Sequence, residues 1–301
     1  MNGLILIDKP KDFTSFDVVA VMRRLANQKK AGHTGTLDPN ATGVLPILLG
    51  SATKAQDLII NHDKTYVAHF KLGLTSNTLD AWGEINAEFD KKADLDSVKN
   101  ALLTFKGEIE QLPPMFSAVQ INGQRLYDLA RQGIEVERKS RRVTVYDIEL
   151  LDFDEKKQEG KFKISCSKGT YIRTIIDDMG KLLQTGAIMT DLVRTKACGF
   201  DIESCITLEK AKELAQNGEL ESVLKPIDGL FMTYDRVKIS EAQTRRFSNG
   251  GAIDLSRTQL RNKALPDSTL LRVYDNNDNF LALGKVDLAT SCLKLFKIFA
   301  R

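Results

Sequence analysis

The sequence predicts an α+β protein in which helices and strands share a large first part, while short strands dominate a smaller second part. Residues Thr65 to Gly73 alternate between apolar and polar side chains, as in a half-buried strand. The apolar residues between Ile172 and Leu183 recur instead at helical spacing. From Pro226 onward, short strand patterns separated by turns follow one small helix.

Start and stop signals place the first elements of the chain. Leu4 to Ile7 has the pattern of a short buried strand. Ser15 is the predicted N-cap of a helix that continues to about Gln28 and is ended by Gly32. Val44 to Leu49 is a further apolar segment.

Two later segments carry the clearest periodicity. The strand that starts at Thr65 presents four side chains on one face, namely Tyr66, Ala68, Phe70 and Leu72. A later alternating strand passes through Gly169 into a helix whose apolar stripe consists of Ile172, Ile175, Ile176, Met179 and Leu183.

The stretch from Pro113 to Tyr146 has a basic character. Asn122 and Gly123 predict a hairpin turn, and a short helix from about Tyr127 to Arg131 is expected to end at Gly133. The basic residues are Arg125, Arg131, Arg138, Lys139, Arg141 and Arg142. Such a surface either grips a phosphate backbone or is simply a solvated charged face.

The last part of the chain predicts a separate, small β-rich domain that begins near residue 234. Its strand patterns are Leu270 to Tyr274, Phe280 to Val286 and Leu293 to Phe299. An Asn-Asn-Asp-Asn turn at 276–279 separates the first two.

Composition sets outer bounds on function. The 301 residues are 42% hydrophobic and 28% charged, which excludes disordered and fibrous classes, and the net charge of +3 does not by itself indicate nucleic-acid binding. Four scattered cysteines and three dispersed histidines, His33, His62 and His69, predict no disulfide framework and no metal site. Because the N-terminal apolar run is too short for a signal peptide or a membrane span, we expect a cytoplasmic protein.

The loop from Gly32 to Pro46 contains one carboxylate, Asp38, between two apolar elements. Glycines give this loop freedom to turn, and Pro39 biases Asp38 away from helical dihedrals. Asp38 is therefore either a side chain aimed for chemistry or the cap of a short helix that starts at Pro39.

Tyr66 and Arg173 each allow two interpretations from local pattern. Tyr66 is either an ordinary aromatic of a sheet core or part of a site. Arg173 lies where a strand meets a helix, a common place for functional side chains, but it could also pair with Asp177 four residues later.

Four separated segments together resemble the bacterial TruB family of tRNA pseudouridine synthases. They are Ile7-Asp8-Lys9-Pro10, the loop from Gly32 to Pro46, Pro113 to Val119 with Arg131 to Ile134, and Ser167 to Arg173. The resemblance implies a mixed, mainly antiparallel sheet flanked by helices. It divides the chain into a catalytic domain, 1–233, with an RNA-clamping insertion at about 113–146, and a PUA-like RNA-binding domain, 234–301.

The resemblance also implies roles for individual residues. Asp38 would be the catalytic aspartate, Tyr66 the ring against the target base, Arg173 the partner of the aspartate and Leu192 an apolar contact near the uracil. His33 would fill space left in the RNA, and Asp80 lies in a segment that contacts RNA. The basic residues assigned to the clamp are Arg125, Arg131, Arg141 and Arg142.

The activity that the resemblance implies is isomerisation of uridine 55 in the T arm of tRNA, without metal or organic cofactor. The expected partner is tRNA, no membrane or protein partner is expected, and the default is a monomer. Asp38 would act as nucleophile or as base, and the alternative function is a non-catalytic tRNA folding factor. The chain departs from the family pattern at Asp12, Trp82 and Val193, and we interpret Trp82 as a packing residue rather than a stacking one.

Overall fold

Apolar strands at the start of the chain lie at one end of a large sheet, and the elements that follow build outward from them. The computed structural model describes residues 1–59, 63–121 and 123–300. His62 and Asn122, both named above, lie outside the described residues.

The elements of the first part, in chain order, are β1 (Gly3–Lys9), α1 (Ser15–Leu25), β2 (Ala31–His33), β3 (Thr42–Leu49), β4 (Lys64–Leu72), β5 (Leu74–Ser76), β6 (Ile85–Glu88), α2 (Leu95–Leu103), β7 (Gly107–Gln111), β8 (Gln120–Ile121), β9 (Gln124–Arg125), α3 (Leu126–Arg131), β10 (Arg141–Asp154), β11 (Glu159–Cys166), α4 (Ile172–Leu183), β12 (Ala187–Ala197), β13 (Phe200–Asp201) and α5 (Leu208–Gln216). The remaining elements are β14 (Arg236–Lys238), α6 (Glu241–Ser248), β15 (Ile253–Asp254), β16 (Leu270–Tyr274), β17 (Phe280–Asp287) and β18 (Cys292–Ile298). Short 3₁₀ helices span Gly50–Leu58, Ile202–Ser204, Leu220–Val223, Ile227–Phe231 and Leu255–Arg257.

The main sheet confirms the predicted mixed, mainly antiparallel architecture. In the described residues its strand order is β1-β3-β12-β4-β11-β10-β7, with β2 beside β3 and β13 beside β12. Only the β3–β12 pairing within this described sheet is parallel. The apolar stripe of α4 and the predicted inner face of β4 pack in one hydrophobic cluster, while α1 and α5 pack in another with β1 and β3.

The first helix begins and ends earlier than its sequence pattern predicts. Thr14, not Ser15, is the N-cap: its hydroxyl accepts from the Asp17 N–H at 3.0 Å, and the Asp17 carboxylate accepts from the Thr14 N–H at 2.8 Å. The helix ends at Leu25, and Gly32 lies in β2 instead of terminating it. Thr14 and Ser15 both carry a hydroxyl that can cap a helix, so the local pattern does not show which of them is the N-cap.

The basic stretch from Pro113 divides into two structural parts. Strands β8 and β9 pair around the predicted turn, and α3 is followed by Gly133 in the left-handed region, as expected. Arg141 and Arg142 belong instead to β10, where they pair with β7 in the main sheet. The role of this stretch as an RNA clamp stays a prediction.

The predicted strands of the last part are confirmed and form a second sheet. Its order in the described residues is β14-β16-β17-β18-β15, with its own apolar core. A further apolar cluster joins the two sheets, since it contains Leu4 and Leu48 from the first, Leu283 from the second and Phe299, which directly follows β18. The exact division at residue 234 therefore stays a prediction. None of the helices in the described part of the chain has the length and apolarity needed to cross a bilayer.

Candidate active site

Asp38 lies in the turn that connects β2 to β3, and its side chain is 47% exposed. Its carbonyl accepts from the Ala41 N–H at 3.1 Å, so residues 38–41 close a turn around Pro39. No helix begins at Pro39 in this described loop, so the helix-capping interpretation of Asp38 is wrong. The carboxylate is held at the loop tip, open to solvent on one side.

Two contacts from the start of the chain hold this loop. The Ser15 hydroxyl accepts from the Leu37 N–H at 2.9 Å and donates to the Leu37 carbonyl at 3.2 Å. The buried Lys9 ammonium donates to the carbonyls of Pro39 at 2.9 Å, Pro10 at 2.9 Å and Phe13 at 2.6 Å. Burial lowers the pKa of Lys9 to about 8, against the opposing effect of the Asp38 charge. The backbone on both sides of Asp38 is thus fixed.

Arg173 links Asp38 to a second carboxylate. It lies in the first turn of α4, with only 7% of its side chain exposed, and its Nη2 is 3.0 Å from Asp38 Oδ2. Its Nη1 is 3.4 Å from Asp80 Oδ2. It also donates to the carbonyls of Thr78 at 3.0 Å and Phe116 at 2.9 Å. The alternative pairing with Asp177 is not formed, since Asp177 pairs with Lys181 at 2.6 Å.

Asp80 is buried, and it contacts Arg173 through a different terminal nitrogen from the one that meets Asp38. Its Oδ1 accepts from the Thr78 hydroxyl at 2.6 Å and from the Trp82 N–H at 3.2 Å. The structure therefore places Asp80 where it orients the guanidinium that pairs with Asp38. Its role as an RNA contact stays a prediction.

Tyr66 and Leu192 come from neighbouring strands and share one apolar cluster with Leu37 of the Asp38 loop. Tyr66 is on β4 and Leu192 on β12, paired with Ala68 of β4. Burial raises the pKa of Tyr66, so its hydroxyl is protonated, while the charge of Arg194 acts in the opposite direction. These residues form an apolar wall close to the loop that carries Asp38.

Arg194 is the residue of this site that the sequence pattern did not identify. It is fully buried on β12 and donates to the carbonyls of Val44 at 2.8 Å, Gly35 at 2.9 Å and Thr36 at 3.4 Å. It thereby ties the first half of the Asp38 loop to β3 and β12. Its charge in the sequence was the only local signal, and charge alone favours exposure rather than burial.

His33 is buried at the end of β2, and its ring meets Phe16 edge-on with centroids 5.2 Å apart. Burial, and secondarily the charge of Arg194, lower the pKa of His33. Its Nδ1 has no hydrogen-bond partner among the described residues. The predicted function of His33 within the RNA remains untested.

The four predicted clamp arginines lie on two other surfaces. The guanidinium carbons of Arg125 and Arg131 lie 5.8 Å and 5.5 Å from the centroid of the Tyr127 ring. Arg141 and Arg142 are exposed on β10, where Arg142 Nε is 3.9 Å from Glu110 Oε1. Their binding of RNA stays a prediction.

Metal ligands do not cluster within residues 1–59, 63–121 and 123–300. No group of three or more His, Cys, Asp or Glu side chains there has the geometry to hold an ion. The chemistry available at the site is that of a half-exposed carboxylate, a buried guanidinium and an apolar wall.

Three family models match the chain in succession. They describe the TruB family pseudouridylate synthase N-terminal domain over residues 23–172, the tRNA pseudouridylate synthase B C-terminal domain over 173–232, and the pseudouridine synthase II TruB C-terminal region over 236–291. Together they cover residues 23–232 and 236–291, which include strands of both sheets.

Curated relatives match along nearly the whole length. The tRNA pseudouridine synthase B of Clostridium tetani is 45% identical over 95% of this chain and 96% of its own, and that of Clostridioides difficile is 43% identical over 95% of each. Among solved structures, a Cbf5-Nop10-Gar1 complex contains a chain that is 25% identical, with a TM-score of 0.72 over 99% of this chain and 84% of that one. With these matches at both levels, the chain belongs to the TruB family of pseudouridine synthases.

Proposed function

We propose that this chain converts uridine 55 in the T arm of tRNA to pseudouridine, with Asp38 as the catalytic carboxylate. The observation that carries the proposal is the contact of 3.0 Å between half-exposed Asp38 and almost fully buried Arg173. A carboxylate that must meet a substrate needs an open side, and one that must keep its orientation needs a fixed partner. Asp38 has both.

The chemistry that this site must perform is a rearrangement within one nucleotide. The bond from uracil N1 to the ribose breaks, the base turns, and a bond from C5 to the same ribose carbon forms, with a proton lost from C5 and one gained at N1. Ionised Asp38 acts either as a nucleophile on the base or sugar or as a base on a sugar proton. The detached uracil must be retained while it turns, and the apolar wall of Tyr66 and Leu192 supplies a surface against which it can turn.

The target nucleotide must leave its stack before Asp38 can reach it. Extruding a base costs a few kcal/mol, and stacking against an aromatic ring offsets part of this cost. Tyr66 is the ring proposed for the flipped uracil. The form proposed to carry out the reaction is the monomer.

The relatives support tRNA as the substrate class, since those from both Clostridium tetani and Clostridioides difficile are named tRNA pseudouridine synthase B and match along almost their full length. Uridine 55 and the catalytic role of Asp38 rest on the resemblance of the loop and on the ion pair described above.

The test compares three proteins on unmodified tRNA without added metal, followed by nucleoside analysis. The wild type should form pseudouridine, Asp38→Asn should form none, and Asp147→Asn should match the wild type. Asp147 is the matched control because it is an exposed aspartate, paired with Lys106 at 2.8 Å, on a different part of the sheet. No product from the wild type, or equal product from Asp38→Asn, would contradict the assignment.

The position is tested with a second substrate in which cytidine replaces uridine 55. Product should be absent with this tRNA and should return with an isolated T-arm hairpin that keeps the uridine. Tight binding without turnover of any substrate would instead favour the tRNA folding factor.

A further inference from the structure

Trp82 is the single tryptophan of the chain, and it lies in the connection between β5 and β6. The residue is 39% exposed, so part of its surface is open to solvent, and its interpretation as a packing residue stays a prediction. Large exposed aromatic rings are enriched where proteins bind partners rather than on inert surface.

The Trp82 ring is approached by a cation from a distant part of the chain. The Lys11 ammonium is 5.3 Å from the ring centroid. Lys11 lies in the turn that follows β1, two residues after Lys9. A ring and an ammonium side by side are the two groups with which proteins hold a single-stranded nucleotide, through its base and its phosphate.

Trp82 is connected to the candidate active site by short contacts, and Lys11 is connected to it along the chain through Lys9. The backbone N–H of Trp82 donates to the Asp80 carboxylate. Asp80 pairs with Arg173, and Arg173 in turn pairs with Asp38. On the other side, Lys9 holds the carbonyl of Pro39, next to Asp38. The Trp82–Lys11 pair therefore joins the two segments that support the carboxylate and its partner.

We propose that Trp82 and Lys11 bind a nucleotide that flanks the target uridine, with Trp82 stacked on its base and Lys11 on its phosphate. This inference rests on the proposed function, because it requires RNA at Asp38. Removing a nucleotide from a stack leaves the faces of its neighbours uncovered. A ring beside the site replaces the lost stacking and so stabilises the extruded state.

The contact between Lys11 and the Trp82 ring is weaker than stacking of a base on that ring, so a base can replace Lys11 there. A cation–π contact at an exposed site is worth roughly a 2- to 5-fold change in an equilibrium. Stacking of a base on an aromatic ring changes affinity by roughly 5- to 150-fold on alanine substitution. A base therefore displaces Lys11 from the ring at small cost, and the released ammonium then neutralises a phosphate.

The first experiment uses the fluorescence of the single tryptophan. Full-length Asp38→Asn protein, which keeps the substrate unreacted, is titrated with unmodified tRNA, and binding is measured in parallel by filter retention. Stacking predicts strong quenching that saturates together with binding. An unchanged emission spectrum at saturating tRNA would overturn the inference.

The second experiment measures tRNA affinity in variants of the wild-type chain. Trp82→Ala should bind roughly 5- to 150-fold more weakly, whereas Trp82→Phe, which retains a ring, should recover most of the affinity. Ile85→Ala is the matched control, because Ile85 is an exposed apolar residue of β6 in the same hairpin. Lys11→Gln should make the negative slope of log affinity against log salt shallower by about 0.7 to 0.9.

The two proposals fail in different ways. If the wild type forms no pseudouridine, the proposed function is wrong whatever Trp82 does. If the wild type is active but Trp82→Ala binds tRNA like Ile85→Ala, only the inference about Trp82 is wrong. If Trp82→Ala does not fold, the fluorescence titration and the tRNA affinity of Trp82→Phe still test whether Trp82 stacks on the RNA.

Discussion

Arg173 gives the two nearby aspartates different environments. Its Nη2 meets Asp38, which is 47% exposed, and its Nη1 meets Asp80, whose side chain is only 12% exposed. The planar fork of arginine serves several acceptors in fixed directions, which the single ammonium of lysine does not. Asp80 thus anchors the arginine, and the arginine orients Asp38.

Replacing Arg173 with lysine tests this arrangement. Arg173→Lys keeps the charge but loses the fork, so we expect the single-turnover rate to fall by roughly 100-fold or more, a loss typical of misplaced catalytic groups. The affinity for tRNA should change far less. Arg236→Lys, in an exposed pair with Asp278, is the control. Equal losses of rate and affinity would contradict a positioning role.

We expect His33 to make the stability of the fold depend on pH. Its pKa in the folded chain lies below the ordinary value of 6.5, because burial and Arg194 disfavour the charged ring. The unfolded chain therefore takes up the proton first as the pH falls below about 6.5, which lowers the free energy of unfolding. Above that pH both states are neutral and the effect disappears.

Urea unfolding of wild type and His33→Gln between about pH 5 and pH 8 measures this effect. The stability of the wild type relative to the variant should fall on the acidic side and be constant on the basic side. Parallel curves over the whole range would contradict the prediction.

At the level of elements, β3 and β12 approach each other so closely that only glycine is accommodated at Gly43. An added Cβ would lie 2.2 Å from the Arg194 carbonyl oxygen, and the residue has φ of +103°. This contact brings the strand after the Asp38 loop against the strand that carries Leu192 and Arg194.

Alanine at this position should therefore be strongly destabilising. We expect Gly43→Ala to lower the free energy of unfolding by roughly 3 kcal/mol or more, because backbone must move as well as adopt a disfavoured φ. Gly107→Ala is a close control: its φ is +110°, and no atom lies within 4 Å of the added Cβ. Gly107→Ala should lower the free energy of unfolding by only about 1–2 kcal/mol. If urea unfolding shows similar losses of stability for Gly43→Ala and Gly107→Ala, the steric explanation is contradicted.

Local periodicity predicted the elements whose burial is regular along the chain. The alternation of β4 and the stripe of α4 were both confirmed, since each depends on neighbours within a few residues. Ser15 was misassigned because its actual partner, Leu37, is 22 residues away. Arg194 was missed for the same reason, since its carbonyl acceptors are 150 or more positions earlier in the chain. Contacts distant in sequence determine the site, and periodicity carries no information about them.

Across the whole molecule, the two sheets share apolar surface. Phe231, just before the second sheet, contacts Phe280 of that sheet and Phe299, which directly follows β18, with ring centroids 6.3 Å and 5.7 Å away. Leu4 and Leu48 of the main sheet belong to the same cluster. An RNA that contacts both sheets would therefore meet surfaces held in one arrangement, which makes the distribution of basic groups outside the active site relevant to binding.

Arg141 and Arg142 allow a test of whether basic residues outside the Asp38 site contact RNA. Both are exposed on β10, and the pair of Arg142 with Glu110, at 3.9 Å, is of the exposed kind that adds little stability. If they contact phosphates, the double change to Gln should weaken tRNA binding and make the negative slope of log affinity against log salt shallower by up to about 1.4 to 1.8, at roughly 0.7 to 0.9 per contact. The free energy of unfolding, measured in urea, should stay within about 0.5 kcal/mol of the wild-type value for each site.

Arg245 and Glu241 form a comparable exposed pair on α6, at 2.8 Å, so Arg245→Gln controls for the loss of a surface charge. An unchanged salt slope in the double variant would mean that β10 presents a solvated charged face rather than an RNA contact.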